Sequence, residues 1–130
     1  YLDKITDAGG KIVMGMDFHS THNNVFYTIP QTESIAPTTM VVSWLDNLQQ
    51  KTKGVFKVLD KPGTSPGKGV FKQFMADVYN VHGVTYEVGD NEPDVKTRYV
   101  ARHAAKTLID VLLDTKAEDF VLNTCPAESC

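Results

Sequence analysis

Gly15-Met16-Asp17-Phe18-His19-Ser20-Thr21-His22-Asn23-Asn24-Val25-Phe26-Tyr27 is the stretch whose reading decides the fold. The run before it, Lys11-Ile12-Val13-Met14, is short, apolar and β-branched, and is entered through Gly9-Gly10. A run of that length bounded by glycine reads as a buried strand rather than a helix. The chain is expected to leave that strand at Asp17-Phe18, deliver His19 at its end and continue as a polar loop. In α/β sheets, ligands and chemistry collect at the carboxyl ends of strands. A histidine placed there, beside an acid and small polar residues, suits a metal-ligating imidazole whose second ring nitrogen needs an acceptor. The bland reading is a structural histidine satisfied by its surroundings.

Outward from that stretch, the chain has the length and make-up of one folded domain. It has 130 residues, 42% hydrophobic and 22% charged, which suffices for a real core. A net charge of -3 without a basic block argues against nucleic acid and anionic membrane surfaces as partners. No apolar stretch approaches the length of a bilayer span. The first residue is Tyr1, so the sequence reads as a piece of a longer protein. Cys125 and Cys130 leave two readings open: a small disulfide loop, which would suit a secreted or periplasmic protein, or two unpaired thiols in a frayed tail. With no further Cys or His close by, a zinc site at this pair is disfavoured.

In chain order, residues 1–8 read as the end of a helix stopped by Gly9-Gly10. Residues 23–37 form a polar loop with Val25-Phe26-Tyr27 as its apolar anchor. Pro37 opens a helix in which Met40, Val41, Trp44, Leu45 and Leu48 share one face. Residues 55–59 read as a short strand or extended segment. Residues 63–69, Gly-Thr-Ser-Pro-Gly-Lys-Gly, are the most loop-like run and lack the spacing of a phosphate-binding Walker loop. A loop beside a functional site is the reading kept. Val70, Phe71, Phe74, Val78 and Val81 predict a helix packed on the sheet by that apolar stripe. Residues 83–89 are a strand by content. A long helix follows from an Asp94 cap to about Asp114, with Ala101, Ala104, Ala105, Leu108, Ile109 and Leu112 as its core stripe. Arg102 and His103 fall off that stripe. Alternating strands and helices make an α/β layered domain over residues 1–116, with residues 117–130 as a tail.

Glu87 is the second informative residue. A carboxylate inside Val84-Thr85-Tyr86-Glu87-Val88 is costly to bury unless it has a cation, a metal or a proton-transfer task. An edge strand with Glu87 in water is the plain alternative. Asp90, Asn91 and Glu92 then read as a solvated turn.

Taken together, Asp17-Phe18-His19-Ser20, then Thr85-Tyr86-Glu87-Val88, then a long final helix resemble the C-terminal half of zinc carboxypeptidases of the carboxypeptidase A type (peptidase family M14). The resemblance implies a three-layer helix-sheet-helix domain with a mixed central sheet, its N-terminal half missing. It implies that His19 is the third zinc ligand, Glu87 the general base on the attacking water, and Ser20 part of the substrate cleft. Chemically this is coherent: zinc activates water and polarises the scissile carbonyl, while a carboxylate moves the proton to the leaving amine.

Departures from the family pattern limit what these residues do alone. The other two ligands belong to an His-x-x-Glu motif, and His22, His82 and His103 are followed three places on by Val25, Thr85 and Lys106. Arg98 and Arg102 match no substrate-carboxylate motif. The family's loop tyrosine has no counterpart in residues 63–69, and Tyr79 lies on a predicted helix. Catalytic zinc uses three protein ligands, so one is too few. The fragment is therefore expected to be inactive by itself, with a peptide substrate and the missing half as partners, and either to self-associate or to come from a protein in which it stays paired with that half. A zinc-dependent N-acyl amino acid deacylase is the nearest enzymatic alternative. A binding domain that has lost metal is the alternative from another class. An unrelated α/β domain with a coincidental His and Glu would hold those two residues far apart.

Overall fold

In the computed structural model, which describes residues 1–120, four strands and four α-helices alternate along the chain. They are α1 (Leu2–Asp7), β1 (Met14–Thr21), β2 (Val25–Thr28), α2 (Met40–Lys51), β3 (Asp60–Pro62), α3 (Phe71–Tyr79), β4 (His82–Gly89) and α4 (Asp94–Asp114). A 3-10 turn follows at Ala117–Phe120, and the two cysteines lie outside the described residues. The sheet is mixed, in the order β1-β4-β2-β3. β1 runs parallel to β4, β2 antiparallel to β4, and β3 parallel to β2. The α/β class is as the sequence implies.

Side-chain alternation sorts the strands into two faces. On one face Phe26, Val84 and Tyr86 join Met40, Val41, Trp44, Leu45 and Leu48 of α2 and Val100 and Val111 of α4 in a single core. Trp44 is 1% exposed, meets Phe26 edge-on at 5.7 Å and donates its indole N–H to the Ala104 carbonyl at 2.9 Å. That bond ties α2 to α4 inside the apolar layer, where an unmade one would cost about 1–3 kcal/mol. Helix α2 matches its expected stripe, though it begins at Met40, with the Pro37 carbonyl accepting from the Met40 N–H.

On the other face α3 sits on glycine. Gly15 and Gly83 are register partners on β1 and β4. A Cβ on Gly83 would lie 2.5 Å from the Lys72 Cα, and one on Gly15 would lie 2.8 Å from the Met75 methyl. Two adjacent strands without side chains at one level give the helix a flat seat, so its backbone comes close. This seat sets the rotation of α3, and the result departs from the expectation from periodicity over most of the helix. Lys72, Gln73 and Met75 are buried, whereas Val70, Phe74 and Val78 of the apolar stripe are exposed. Of that stripe, Phe71 is half-buried against Gly15 and Val81, past the helix end, is buried, as expected.

Three further expectations change. Strand β1 runs on through His19 to Thr21 and is an edge strand with no fully buried residue, because only β4 flanks it. Val25-Phe26-Tyr27 is not a loop anchor but part of β2, inside the sheet. Residues 55–59 form no strand. The Val55 and Phe56 N–H groups turn back to the Thr52 carbonyl, and Gln49 bonds the Phe56 carbonyl and the Val58 N–H, replacing a ladder with a side-chain amide. In α4 the buried face is Val100, Thr107 and Val111 with Ala104, Leu108 and Leu112 beside it. Ala101, Ala105 and Ile109 point to water. Asp94 makes no capping bond.

Candidate functional site

The face that carries α3 also carries the candidate site. Register places its side chains in two rows across three strands. Asp17 of β1, Thr85 of β4 and Tyr27 of β2 form one row, and His19, Glu87 and Val25 form the next. His19 and Glu87 are therefore direct neighbours on parallel strands, not distant residues. Glu87 does not sit on an edge: β4 is flanked on both sides, and the carboxylate is half-buried. With α3 and residues 63–69, these rows enclose an open cleft of about 660 Å³ lined by Asp17, His19, Thr85, Glu87, Phe71 and Lys72 among others.

Within the cleft Asp17 and His19 are two residues apart on one strand and so project from the same face. His19 Nε2 donates to Asp17 Oδ2 at 2.6 Å, a charge-assisted length. The bond leaves Nδ1 as the imidazole lone pair. That arrangement, one nitrogen fixed by a carboxylate and the other left for a ligand, is the donor chemistry a metal-binding histidine needs. Among the described residues, no group of three or more His, Cys, Asp and Glu side chains is close enough to hold a metal ion. The cleft thus offers one oriented imidazole and a neighbouring carboxylate, fewer than the three protein donors a catalytic zinc site uses.

Ser20 pairs with Val88 one register step further on and is exposed. Alternation turns it to the face opposite His19, away from the cleft lining where it was expected. His22 is 92% exposed in its side chain and lies 3.5 Å from Asp90. His103 stacks edge-on with Tyr99 at 4.4 Å, and Arg98 lies 3.5 Å from Asp94. In the turn after β4, Asp90 and Asn91 are exposed as expected, while Glu92 is half-buried. Asn24 accepts from the Tyr86 hydroxyl at 2.6 Å and the Gly89 N–H at 3.2 Å, and donates to Glu92 at 2.8 Å. This bracket fixes the link between β1 and β2 against the end of β4. Burial, with the Glu92 carboxylate nearby, pushes the Tyr86 phenol up to about 12.

At the wall of the cleft lies a hydrogen-bonded polar cluster that composition does not disclose. Lys72, 7% exposed, donates to the Thr28 carbonyl at 3.0 Å and to the Gly63 carbonyl. Asp60 accepts from the Thr28 hydroxyl at 2.7 Å. Desolvation holds the Lys72 ammonium below its usual range and pushes the Asp60 carboxyl above its own; their mutual attraction opposes both.

Thr85 and Asp17 were open to discovery by alternation once His19 and Glu87 were placed on strands; Tyr27 was not, because residues 25–27 read as part of a loop. Lys72 gave no such signal, because its burial follows from the glycine seat. Comparison of the chain with protein-family models, curated proteins and solved structures finds no match. No helix among the described residues is long and apolar enough to cross a membrane.

Proposed function

We propose that these residues are the C-terminal half of the catalytic domain of a zinc metallocarboxypeptidase, which hydrolyses the C-terminal bond of a peptide. The observation that carries this reading is the register of His19 and Glu87 on adjacent strands of one cleft wall, with Asp17 holding His19 Nε2. His19 would contribute one ligand through Nδ1, and the remaining donors would come from a preceding segment with an His-x-x-Glu motif. When bound, the metal supplies Lewis-acid polarisation of the scissile carbonyl.

The residues of this chain do the rest. Asp17 keeps the His19 ring in one tautomer and one orientation. Glu87 accepts a proton from the attacking water and returns it to the departing amine. α3 and residues 63–69 wall off one side of the cleft, so a bound chain end is held near Glu87. This wall lacks the family's loop tyrosine, so the proton delivery rests on Glu87 alone.

The test is zinc content and peptidase activity of two proteins: these 130 residues, and a form extended upstream by the rest of the domain. The extended form is expected to hold about one zinc per chain and to lose at least 10²-fold in kcat on Glu87→Gln. The shorter form is expected to bind no zinc tightly. An extended form that binds zinc but cleaves only N-acyl amino acids makes the protein a deacylase. One that binds no zinc makes it a binding domain.

A further inference from the structure

Helix α3 turns polar residues inward and apolar residues outward. Lys72 and Gln73 are 7% and 8% exposed, while Phe74 and Val78 are 44% and 56% exposed. Burying an ammonium and an amide side by side is unfavourable unless every bond they lose to water is replaced. The replacements come from the end of β2, the start of the 63–69 loop and the next turn of α3. Lys72 Nζ bridges the Thr28 and Gly63 carbonyls, at the end of β2 and the start of the 63–69 loop. Gln73 Oε1 accepts from the Ser65 N–H at 2.6 Å, and its amide nitrogen donates to Asp77 at 2.8 Å, which fixes the amide's orientation. The Gly63 N–H adds a bond to the Thr28 carbonyl at 3.1 Å. Ser65 and Gly69 of the same loop line the cleft beside His19 and Glu87. Beyond Ser65 the loop has left-handed glycines at Gly67 and Gly69, and its backbone bonds back only to itself, Lys68 N–H to the Ser65 carbonyl at 3.2 Å.

We propose that Lys72 and Gln73 are positioning residues, which hold residues 63–65 in place as the wall of the cleft. This rests on the peptidase reading for its catalytic consequence, but not for the anchoring itself. The burial pattern gives the reason. An apolar pair at these positions would pack α3 on its glycine seat equally well and would leave the Gly63 carbonyl and Ser65 N–H without partners. Asp77, one turn further along α3, presets the Gln73 amide so that its oxygen faces the loop.

Amide hydrogen exchange on the chain tests the anchoring. Gln73→Leu is expected to speed exchange at the Ser65 amide by about tenfold or more, with residues 84–87 of β4 unchanged. The paired exchange Gln73→Glu with Asp77→Asn keeps an acceptor for Ser65 and restores a donor at 77, and should return protection to within a few-fold of the original. Unchanged exchange at Ser65 in Gln73→Leu overturns the proposal. Should Gln73→Leu lose protection everywhere, the paired exchange decides: a folded protein with Ser65 protected supports the anchoring, and any other result overturns it. In the zinc-bearing extended protein, Gln73→Leu should raise KM about fivefold or more, with kcat and zinc content close to the parent. A loosened loop with unchanged KM overturns the positioning role and leaves the peptidase reading intact. An extended protein that is inactive with Glu87 in place overturns the peptidase reading, while Ser65 exchange still judges the anchor.

Discussion

Asp17 decides which nitrogen of His19 is left for a ligand. Its carboxylate holds Nε2 as the protonated donor at 2.6 Å, so the lone pair resides on Nδ1. Removing such an orienting partner from a metal-ligating histidine costs about 10–100-fold in metal affinity. If the extended protein holds zinc through His19 as proposed, Asp17→Ala should lower zinc affinity by that factor in a competitive chelator titration, with the fold unchanged. His82 makes a second residue-scale prediction. It is 3% exposed, donates Nε2–H to the Pro37 carbonyl at 2.8 Å, and keeps Nδ1 buried without a partner. Burial holds its pKa below the usual 6.5, against the weaker opposing pull of that carbonyl. The neutral form is thus favoured by folding, so this contribution is full above pH 6.5 and is lost as pH falls through the lower folded value. The thermal midpoint should drop between about pH 7 and pH 5, and His82→Gln should flatten that part of the profile. His19 and Glu87 were legible in the sequence because each breaks a local pattern. Asp17 was legible only as an unassigned neighbour, since its value depends on the strand continuing past it.

At the scale of elements, the paired glycines under α3 govern how the helix meets the sheet. Gly83→Ala would press a methyl into the Lys72 backbone, where no side chain can swing aside. We expect it to cost about 1–3 kcal/mol by chemical denaturation and to loosen residues 63–65 as α3 lifts. Gly15→Ala meets the flexible end of Met75 and the Phe71 ring instead, and should cost less. Periodicity located α2, α3 and α4 well, because helix formation is announced locally. It misjudged which side of α3 faces inward, because rotation was set by two strands remote in sequence. It left residues 55–59 as a strand or an extended segment; they form no strand, and Phe56 instead packs into the core while Gln49 bonds its carbonyl. In short elements, burial and strand pairing leave the same sequence signature.

For the whole molecule, the outward apolar residues set the behaviour in solution. Phe18, Phe74 and Val78 are 65%, 44% and 56% exposed, and β1 presents an open edge. The chain by itself is expected to sediment as more than a monomer at micromolar concentration, and Phe74→Lys with Val78→Lys should shift it toward monomer. The strand order carries a further consequence, for the time before the fold exists. β1 and β2 are joined by only His22, Asn23 and Asn24 and run antiparallel, a link short enough for a hairpin. In the finished sheet β4 lies between them. A nascent chain that has not yet released residues 82–89 can therefore zip these two strands directly against each other. Any such pairing would have to be undone before β4 could take its place between them and bring Glu87 beside His19. The cleft is then a late product of synthesis, and chains cut short before β4 would hold a local pairing that full-length folding has to discard.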